Sequence, residues 1–527
     1  MKKMKKMKKM KRMICVFIIL AMVLTGCGGG TNSESSDSNG SNDSESGNKK
    51  DSLTVVMKAD VRSFDPIFGN DVAGHQVYDQ IYETLLKFDD DGNMVPSLAE
   101  SVTQVDDVTY EIKLNKGIKF HNGEEMKAND VKFTIHRIAS QPCDIHYLFA
   151  DVDLESFDTP DDYTVVFKIN KPNAAFMSYL AFSAVGIVNE KAVNEFGDSY
   201  GMNPVGTGPY KLVKWSKGNE SVLERFDDYH GEKALIKDVT IKVVPEPTNR
   251  LLELESGGAD IAYDIAVTDV NRIEESDKLK IGIREATSST FLGFNTQKKP
   301  FDDIRVREAI RYAIDVEGIV KSVYMGLCPP ATNPMNPNCL YYDTSRTVSE
   351  YNVQKAKDLL AEAGYPDGFT ARITTDDRKE RIDMATIIQN QLSQIGITVE
   401  IDILEWGAYL SACYDGQQEM YMGGWTTFTP EPSISLTGTF SSSTMGSGGN
   451  MAFYANDKVD ELLEAGIATS DPAEREKIYL DLQKEITDQC TWVYLSYGIQ
   501  TVGLSKDIQN FKVHPSGYHT LYDISFK

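Results

Sequence analysis

The sequence lacks any apolar stretch long enough to cross a membrane. Its longest uninterrupted apolar run, Met13 to Leu24 (MICVFIILAMVL), has twelve residues, whereas a spanning helix needs roughly 20. Cysteine is scarce, with seven in 527 residues at scattered and irregular spacing, which excludes a disulfide-stapled miniature fold. Positive charge is the minority, 54 Lys and Arg against 78 Asp and Glu for a net charge of −24. That balance excludes nucleic acid and anionic lipid surfaces as electrostatic partners. There is no G-x-x-x-x-G-K-[ST] phosphate loop and no H-E-x-x-H pair, so the chain carries neither a nucleotide-hydrolysing motif nor a zinc-peptidase one.

What is present starts at the N-terminus. Met1 to Arg12 holds eight basic residues and no acid, and the twelve-residue apolar run follows directly. A positive head before an apolar segment of this length has the form of a secretory signal. Next comes Leu24-Thr25-Gly26-Cys27, which resembles a bacterial lipobox. The resemblance implies cleavage after residue 26 and a lipid on the Cys27 thiol. Gly28 to Asp51 (GGGTNSESSDSNGSNDSESGNKKD) has no apolar side chain and predicts a disordered tether. The remaining chain, roughly 480 residues, is too long for one core of ordinary size and predicts two or three lobes. Of the other cysteines, Cys328 and Cys339 flank a proline-rich loop and could bridge outside the cell. Cys413 with Cys490 is the other candidate pair.

The folded part alternates strand-like and helix-like patterns. Strands are expected at Leu53–Ala59, Thr109–Leu114, Ser221–Phe226, Val239–Val244 and Thr398–Leu404. Helices are expected at Val72–Lys87, Asp130–Ala139 capped by Asn129, Thr248–Ser256, Arg305–Ile314, Val353–Glu362, Met384–Gln394, Val459–Ile467 and Pro472–Ile486. The class is α/β with mixed sheets.

Several segments resemble the family 5 solute-binding proteins, which include dipeptide and oligopeptide receptors of ABC importers. Val108 to Ile138 (VTYEIKLNKGIKFHNGEEMKANDVKFTIHRI) follows the family pattern YxFxLRxGxKFxDGxPxTAxDV. Gly206 to Tyr210 (GTGPY), Phe294 to Val320 and Tyr351 to Phe369 match as well. The resemblance implies a two-lobed periplasmic-binding-protein-like fold (type II, cluster C) with an additional inserted domain. One lobe would comprise 53–86, 187–283 and 494–527, the inserted domain 87–186, and the opposing lobe 284–493, after a signal at 1–26 and a lipidated linker at 27–51. It also implies a monomeric receptor without cofactor on the outer (extracellular or periplasmic) face. Its partners would be a peptide or small-molecule ligand, the permease and ATPase subunits, and the membrane through the lipid. Within the signature block, His121, Asp130 and Lys132 are expected to be structural.

A zwitterionic peptide needs opposite charge or several donors at each end, because unpaired buried charge is very unfavourable. The family meets the amine with an aspartate three residues after a pocket tryptophan. Here Trp425 falls on the tryptophan, Gly423 and Gly424 would allow close backbone approach, Thr427 follows, and the aspartate position is Phe428. Glu431 could take the amine; the ligand could lack a free ammonium there; or an acid elsewhere could serve. Opine, glutathione-like, oligosaccharide and nickel-chelate ligands stay open as alternatives to a peptide. Arg378 and Arg381 stand near where relatives carry a carboxylate-binding arginine. Ser63 and Phe64 belong to the family's first cleft-edge segment. Gly197-Asp198-Ser199-Tyr200-Gly201 matches G-x-S-x-G, but a helix-like segment precedes it and a proline-bearing loop follows, not the strand and helix a nucleophile elbow needs. The reading is a binding protein, not an enzyme.

Overall fold

Along the strand Ser52–Met57, Leu53, Val55 and Met57 bury one face and Val56 the other, because successive strand side chains point to opposite sides. Burial on both faces is what a parallel sheet requires. This strand pairs in parallel with Asp238–Val243 on one side and Ile261–Tyr263 on the other. The computed structural model describes residues 50–89, 93–427, 429–446 and 449–527. The expected signal, Cys27, the linker up to residue 49, and Phe428 lie outside the described residues.

The strand belongs to a ten-stranded mixed sheet. From one edge to the other its strands start at residues 398, 370, 420, 279, 492, 261, 52, 238, 220 and 210. A second parallel group pairs Thr370–Asp376 with Thr398–Leu404 and Met420–Thr426. Between the two groups run Leu279–Phe294 and Trp492–Ser505, antiparallel to each other. Their register shifts between Glu285 and Ser289, and again between Thr290 and Phe291; such irregularities bend and twist a strand. Leu279 and Leu504 lie in buried clusters of the first half, Leu292 and Val493 in one of the second. The described chain therefore passes between halves along these two strands. In the second half, Val306, Ile310, Met384 and Ile388 cover one sheet face and Tyr409, Leu482 and Trp492 the other.

A separate four-stranded antiparallel sheet orders Ala99–Gln104, Thr109–Leu114, Thr164–Ile169 and Val152–Asp161. The helix Ala128–Ser140 covers it with Val131, Ile135 and Ile138. One side chain in this core comes from the second half: Ile434, on the helix Pro432–Phe440. Around it Tyr147 Oη donates to the Ile434 carbonyl at 3.3 Å, Tyr179 Oη and Ser433 Oγ lie 3.2 Å apart, and the Ala174 amide donates to the Ile467 carbonyl at 2.8 Å.

Several expectations need correction. The helix expected over Val72–Lys87 ends at Tyr78. Beyond it the carbonyls of Gln80 and Ile81 accept from the amides of Tyr210 and Gly208, at 3.0 and 2.8 Å, and so are drawn away from helical bonding. Gly206 and Gly208 permit that contact, since a Cβ on either would fall 2.1 Å from Ile81 O and 2.7 Å from Gln80 O. Asn129 does not cap its helix. The helix starts at Ala128, and the Asp130 carboxylate accepts from the amides of Lys127 and Glu190, both at 3.0 Å. His121 is likewise tied to backbone, with Nε2 3.0 Å from Gly208 O. Gly197–Met202 is a 3₁₀ turn entered from the helix Glu190–Phe196, with no strand leading into it.

Neither expected disulfide forms. Cys143, Cys328, Cys339, Cys413 and Cys490 are free thiols. Cys328 and Cys490 are buried in one core layer of the second half, Cys339 and Cys413 in the other, so each proposed pair is split across the sheet. Burial pushes the thiols of Cys328 and Cys413 up to about 12, and those of Cys339 and Cys490 up to about 11. Because the thiolate is the reactive species, iodoacetamide at pH 8 should leave these four unmodified in the native protein and label all four in denaturant. Intact-mass analysis reads both states, and native labelling of any of the four would contradict this packing.

Candidate ligand-binding cleft

In open α/β sheets, ligands bind beyond the carboxyl ends of parallel strands, and here there are two such groups of ends. In the first half the strands lead into Lys58, Val244 and Asp264. Lys58 Nζ lies 3.1 Å from Asp264 Oδ1, and Asp264 takes a positive φ of 53° that turns the chain at the strand end. Arg250, buried on the helix Pro247–Glu255, joins two of these ends. It donates to the carbonyls of Val244 at 2.8 Å, Tyr263 at 3.0 Å and Asp264 at 2.7 Å.

In the second half, Asp376 ends its strand fully buried and holds two guanidiniums. Arg381 Nη1 lies 2.8 Å away and also donates to the Met422 carbonyl at 3.0 Å. Arg378 Nε lies 2.9 Å from Asp376 Oδ2, and its guanidinium sits 5.0 Å from the Trp406 ring centre. Burial alone would raise the Asp376 carboxyl, but the two guanidiniums hold it well below the ordinary carboxylate range. Asp377 and Glu380 also lie within electrostatic reach of Arg378, so the two guanidiniums sit among several acids. The two groups of strand ends face each other: Arg250 lies within electrostatic reach of Glu380 from the other half. At the base, Ser516 Oγ donates to the Thr427 carbonyl at 3.2 Å and meets Thr287 Oγ1 at 2.8 Å.

The residues expected at the site fall in different places. Trp425 sits half-buried at the end of Met420–Thr426, opposite Ser289, against Gly449, where a Cβ would lie 2.5 Å from the indole. Gly423 is buried and fits internal packing, whereas Gly424 is exposed on its strand. A Cβ on Gly423 would meet the Phe291 ring at 2.2 Å, and one on Gly424 would meet Arg381 Nη2 at 2.3 Å. Thr427 is buried, its amide donating to Thr287 O at 2.8 Å. Glu431 does not suit the ammonium role, because its buried carboxylate is neutralised by Arg475 at 2.8 Å and accepts from the Ser433 amide at the helix start. Phe64 is packed in the core edge-on to Trp215, with centroids 5.2 Å apart, and Ser63 Oγ accepts from the Asp65 amide at 3.0 Å. Lys58, Arg250, Asp264 and Asp376 were missed in the sequence. For Lys58 and Asp264 the signal was there, an ionisable residue directly after an apolar strand.

A family pattern described as "Bacterial extracellular solute-binding proteins, family 5 Middle" matches residues 93–447. The chain belongs to this family. The glutathione-binding protein GsiB of Pectobacterium atrosepticum is 30% identical over 473 residues, covering 88% of this chain and 91% of that protein. Among solved structures, the periplasmic binding protein DppA of Helicobacter pylori with the peptide STSA superposes with a TM-score of 0.85 at 29% identity, covering 91% of this chain and 98% of that one. The oligopeptide-binding protein AppA of Bacillus subtilis with a nonapeptide gives 0.83 at 27%, covering 91% and 99%. The two halves are thus the lobes of a type II solute-binding fold. In this family 5 chain no group of three or more His, Cys, Asp or Glu side chains is placed to hold a metal ion among the described residues. No helix among them is long and apolar enough to cross a membrane.

Asp376 is the group that pairs with both Arg378 and Arg381 in the second lobe. Removing one partner of a buried ion pair leaves uncompensated charge, so Asp376→Asn should destabilise the protein by about 3 kcal/mol in denaturant unfolding at pH 7. A carboxyl depressed in the folded state contributes fully above the ordinary carboxylate pKa of about 4 and loses that contribution as pH falls below it. The difference between wild type and variant should therefore shrink toward pH 2; a pH-independent difference would count against the ion pair as its source.

Proposed function

We propose that this chain is the receptor of an ABC importer, capturing a short peptide between its lobes and delivering it to the permease without changing any bond in it. The observation that carries this reading is the pair of facing strand ends, each bearing built charge, on lobes joined by two paired strands. In the Asp376–Arg378–Arg381 cluster, Arg378, about a third exposed, is the arginine that could reach a ligand carboxylate. Trp425 offers a flat apolar wall that accommodates varied side chains. The peptide complexes of DppA and AppA support the ligand class. The lipobox-like segment supports a lipid at Cys27 and a tethered life on the outer face of the membrane, next to permease and ATPase subunits.

One observation favours a second reading, a peptide-like ligand without a free ammonium, such as a glutathione-like one. Phe428 replaces the family's aspartate, and Glu431 is neutralised by Arg475.

Mass spectrometry of ligand released from natively purified protein should return an unmodified peptide or peptide-like solute; a product of hydrolysis would sink the receptor reading. Trp425→Ala should weaken calorimetric affinity for that ligand at least about tenfold with little change in unfolding temperature, and unchanged affinity would remove Trp425 from the site. Cys27→Ser should move the protein from the membrane fraction to the soluble one, and tight membrane retention would refute lipidation there.

A further inference from the structure

The second lobe carries a cavity of about 670 Å³ away from the cleft, within the size range of small-ligand sites. Its walls are the helix Pro472–Asp488, the end of the helix Ile304–Ala313, and an irregular segment, 343–350, that runs from one to the other. That segment is pinned at both ends. The Asp343 amide donates to Gln483 Oε1 at 3.0 Å, and the Asn352 amide to the Tyr312 carbonyl at 2.7 Å. Trp492 and Tyr494 form the remaining side. Trp492 lies opposite Gly293, four residues beyond the Ser289 that faces Trp425; this places it roughly 14 Å along the sheet from the cleft end.

Trp492 and Tyr494 bring a free sheet edge to this cavity. The Phe294 amide donates to the Thr491 carbonyl at 3.1 Å, and Leu292 is opposite Val493. Antiparallel main chain bonds toward a given neighbour at every second residue. The N–H and C=O of Trp492 and Tyr494 therefore point away from that neighbour. On the other side the segment Pro329–Ala331 reaches only residues 495–497, the Ala331 amide donating to Leu495 O at 3.1 Å and the Tyr497 amide to Pro329 O at 3.0 Å. Among the described residues no backbone hydrogen bond meets Trp492 or Tyr494 from this side. Both residues are buried, at 2% and 7% exposure, and buried main-chain groups call for partners.

The surroundings narrow the occupant. Pro329–Ala331 closes one end of the edge and the helix ending at Asp488 closes the other. The free stretch, roughly 10 Å long, has room for three or four extended residues, and none for a strand running on through a larger partner. Arg311 adds a donor, since its buried Nε lines the cavity without a hydrogen-bond partner among the described residues. Charge in the walls is balanced, Arg311, Arg346 and Lys484 against Asp343, Glu350 and Asp481, which suits an occupant of no net charge. Paired N–H and C=O groups at alternate residues are what an added strand requires.

We propose that this cavity is a second peptide site, which takes a free, uncharged or zwitterionic peptide of three or four residues by strand addition to Trp492–Tyr494. The peptide N–H groups donate to the carbonyls of Trp492 and Tyr494, and its C=O groups accept from their amides and from Arg311 Nε–H. The site lies outside the cleft and does not depend on which solute the cleft takes.

Hydrogen exchange read by mass spectrometry tests it, with the full chain and tetra-alanine as the probe. Exchange in fragments spanning 490–495 should slow as tetra-alanine is added, about tenfold at ten times the half-effect concentration. Tetra-alanine N-methylated at every peptide bond has no amide N–H to donate and should leave those fragments unchanged. Thr347→Trp places a bulky ring at an exposed position of the cavity wall. It should abolish the slowing at 490–495 while the unfolding temperature stays near that of wild type. Arg311→Met should raise the half-effect concentration about threefold or more. Absence of slowing by tetra-alanine in the millimolar range overturns the site, as does equal slowing by the N-methylated peptide or slowing that survives Thr347→Trp. A cleft that responds to peptide shows it in fragments around Trp425, so failure here and failure of the cleft reading are told apart.

Discussion

The described chain passes between its lobes along two strands, and these strands are hydrogen-bonded to each other. That pairing constrains everything else. Backbone groups buried in a sheet must stay paired, so the lobes cannot slide or separate there without breaking the ladder. What the ladder permits is bending where its register is already broken, at Glu285–Ser289 and Thr290–Phe291. The irregular stretch is tightly filled: a Cβ on Gly498 would lie 2.3 Å from Ser288 Oγ. The Thr287–Ser516–Thr427 bonds hold the C-terminal segment against it. Hinge motion between lobes is a common way for such folds to close on ligands, and in this strand pair the two register breaks are the places where the ladder is already interrupted.

Charge follows a second rule. The chain is strongly acidic, yet near the cleft each buried acid is matched within its own lobe: Asp376 by Arg378 and Arg381, Glu431 by Arg475, Asp264 by Lys58. Lobes that neutralise their own charge can part without stranding an ion in either wall. What stays partly exposed differs between the lobes, the Arg378 guanidinium in one and the Asp264 carboxylate in the other. A ligand is therefore selected by where its own charge and its own hydrogen-bonding groups fall along its length.

Much of the fold was legible in the sequence because it rests on local pattern. Thr109–Leu114, Thr398–Leu404 and Val353–Glu362 fall where alternation, the glycine stop or helical spacing put them. Local pattern failed where distant chain competed. The helix at Val72 stops early because Gly208 and Tyr210, more than a hundred residues on, take the next carbonyls. The cysteine pairs looked reasonable by spacing and were wrong by layer. For the site, the segment around Trp425 and the two arginines were visible in sequence, but the reason for each residue was not. Gly424 makes room for Arg381, and Glu431 meets an arginine 44 residues away.

Ile434 gives the inserted domain a role in the energetics of opening. It leaves the lobe that carries it and is buried in the core of another unit, ringed by bonds from Tyr147, Tyr179 and Ala174. Parting the lobes at that point would wet the side chain, which is worth about 1.5–3 kcal/mol for a fully buried aliphatic residue, and would break those bonds as well. That is comparable to the few kcal/mol separating the states of a typical two-state protein. The balance of the unliganded molecule is thus adjustable from this contact between units. Trimming Ile434 would retune affinity and residence time together while leaving the chemistry of recognition as it is.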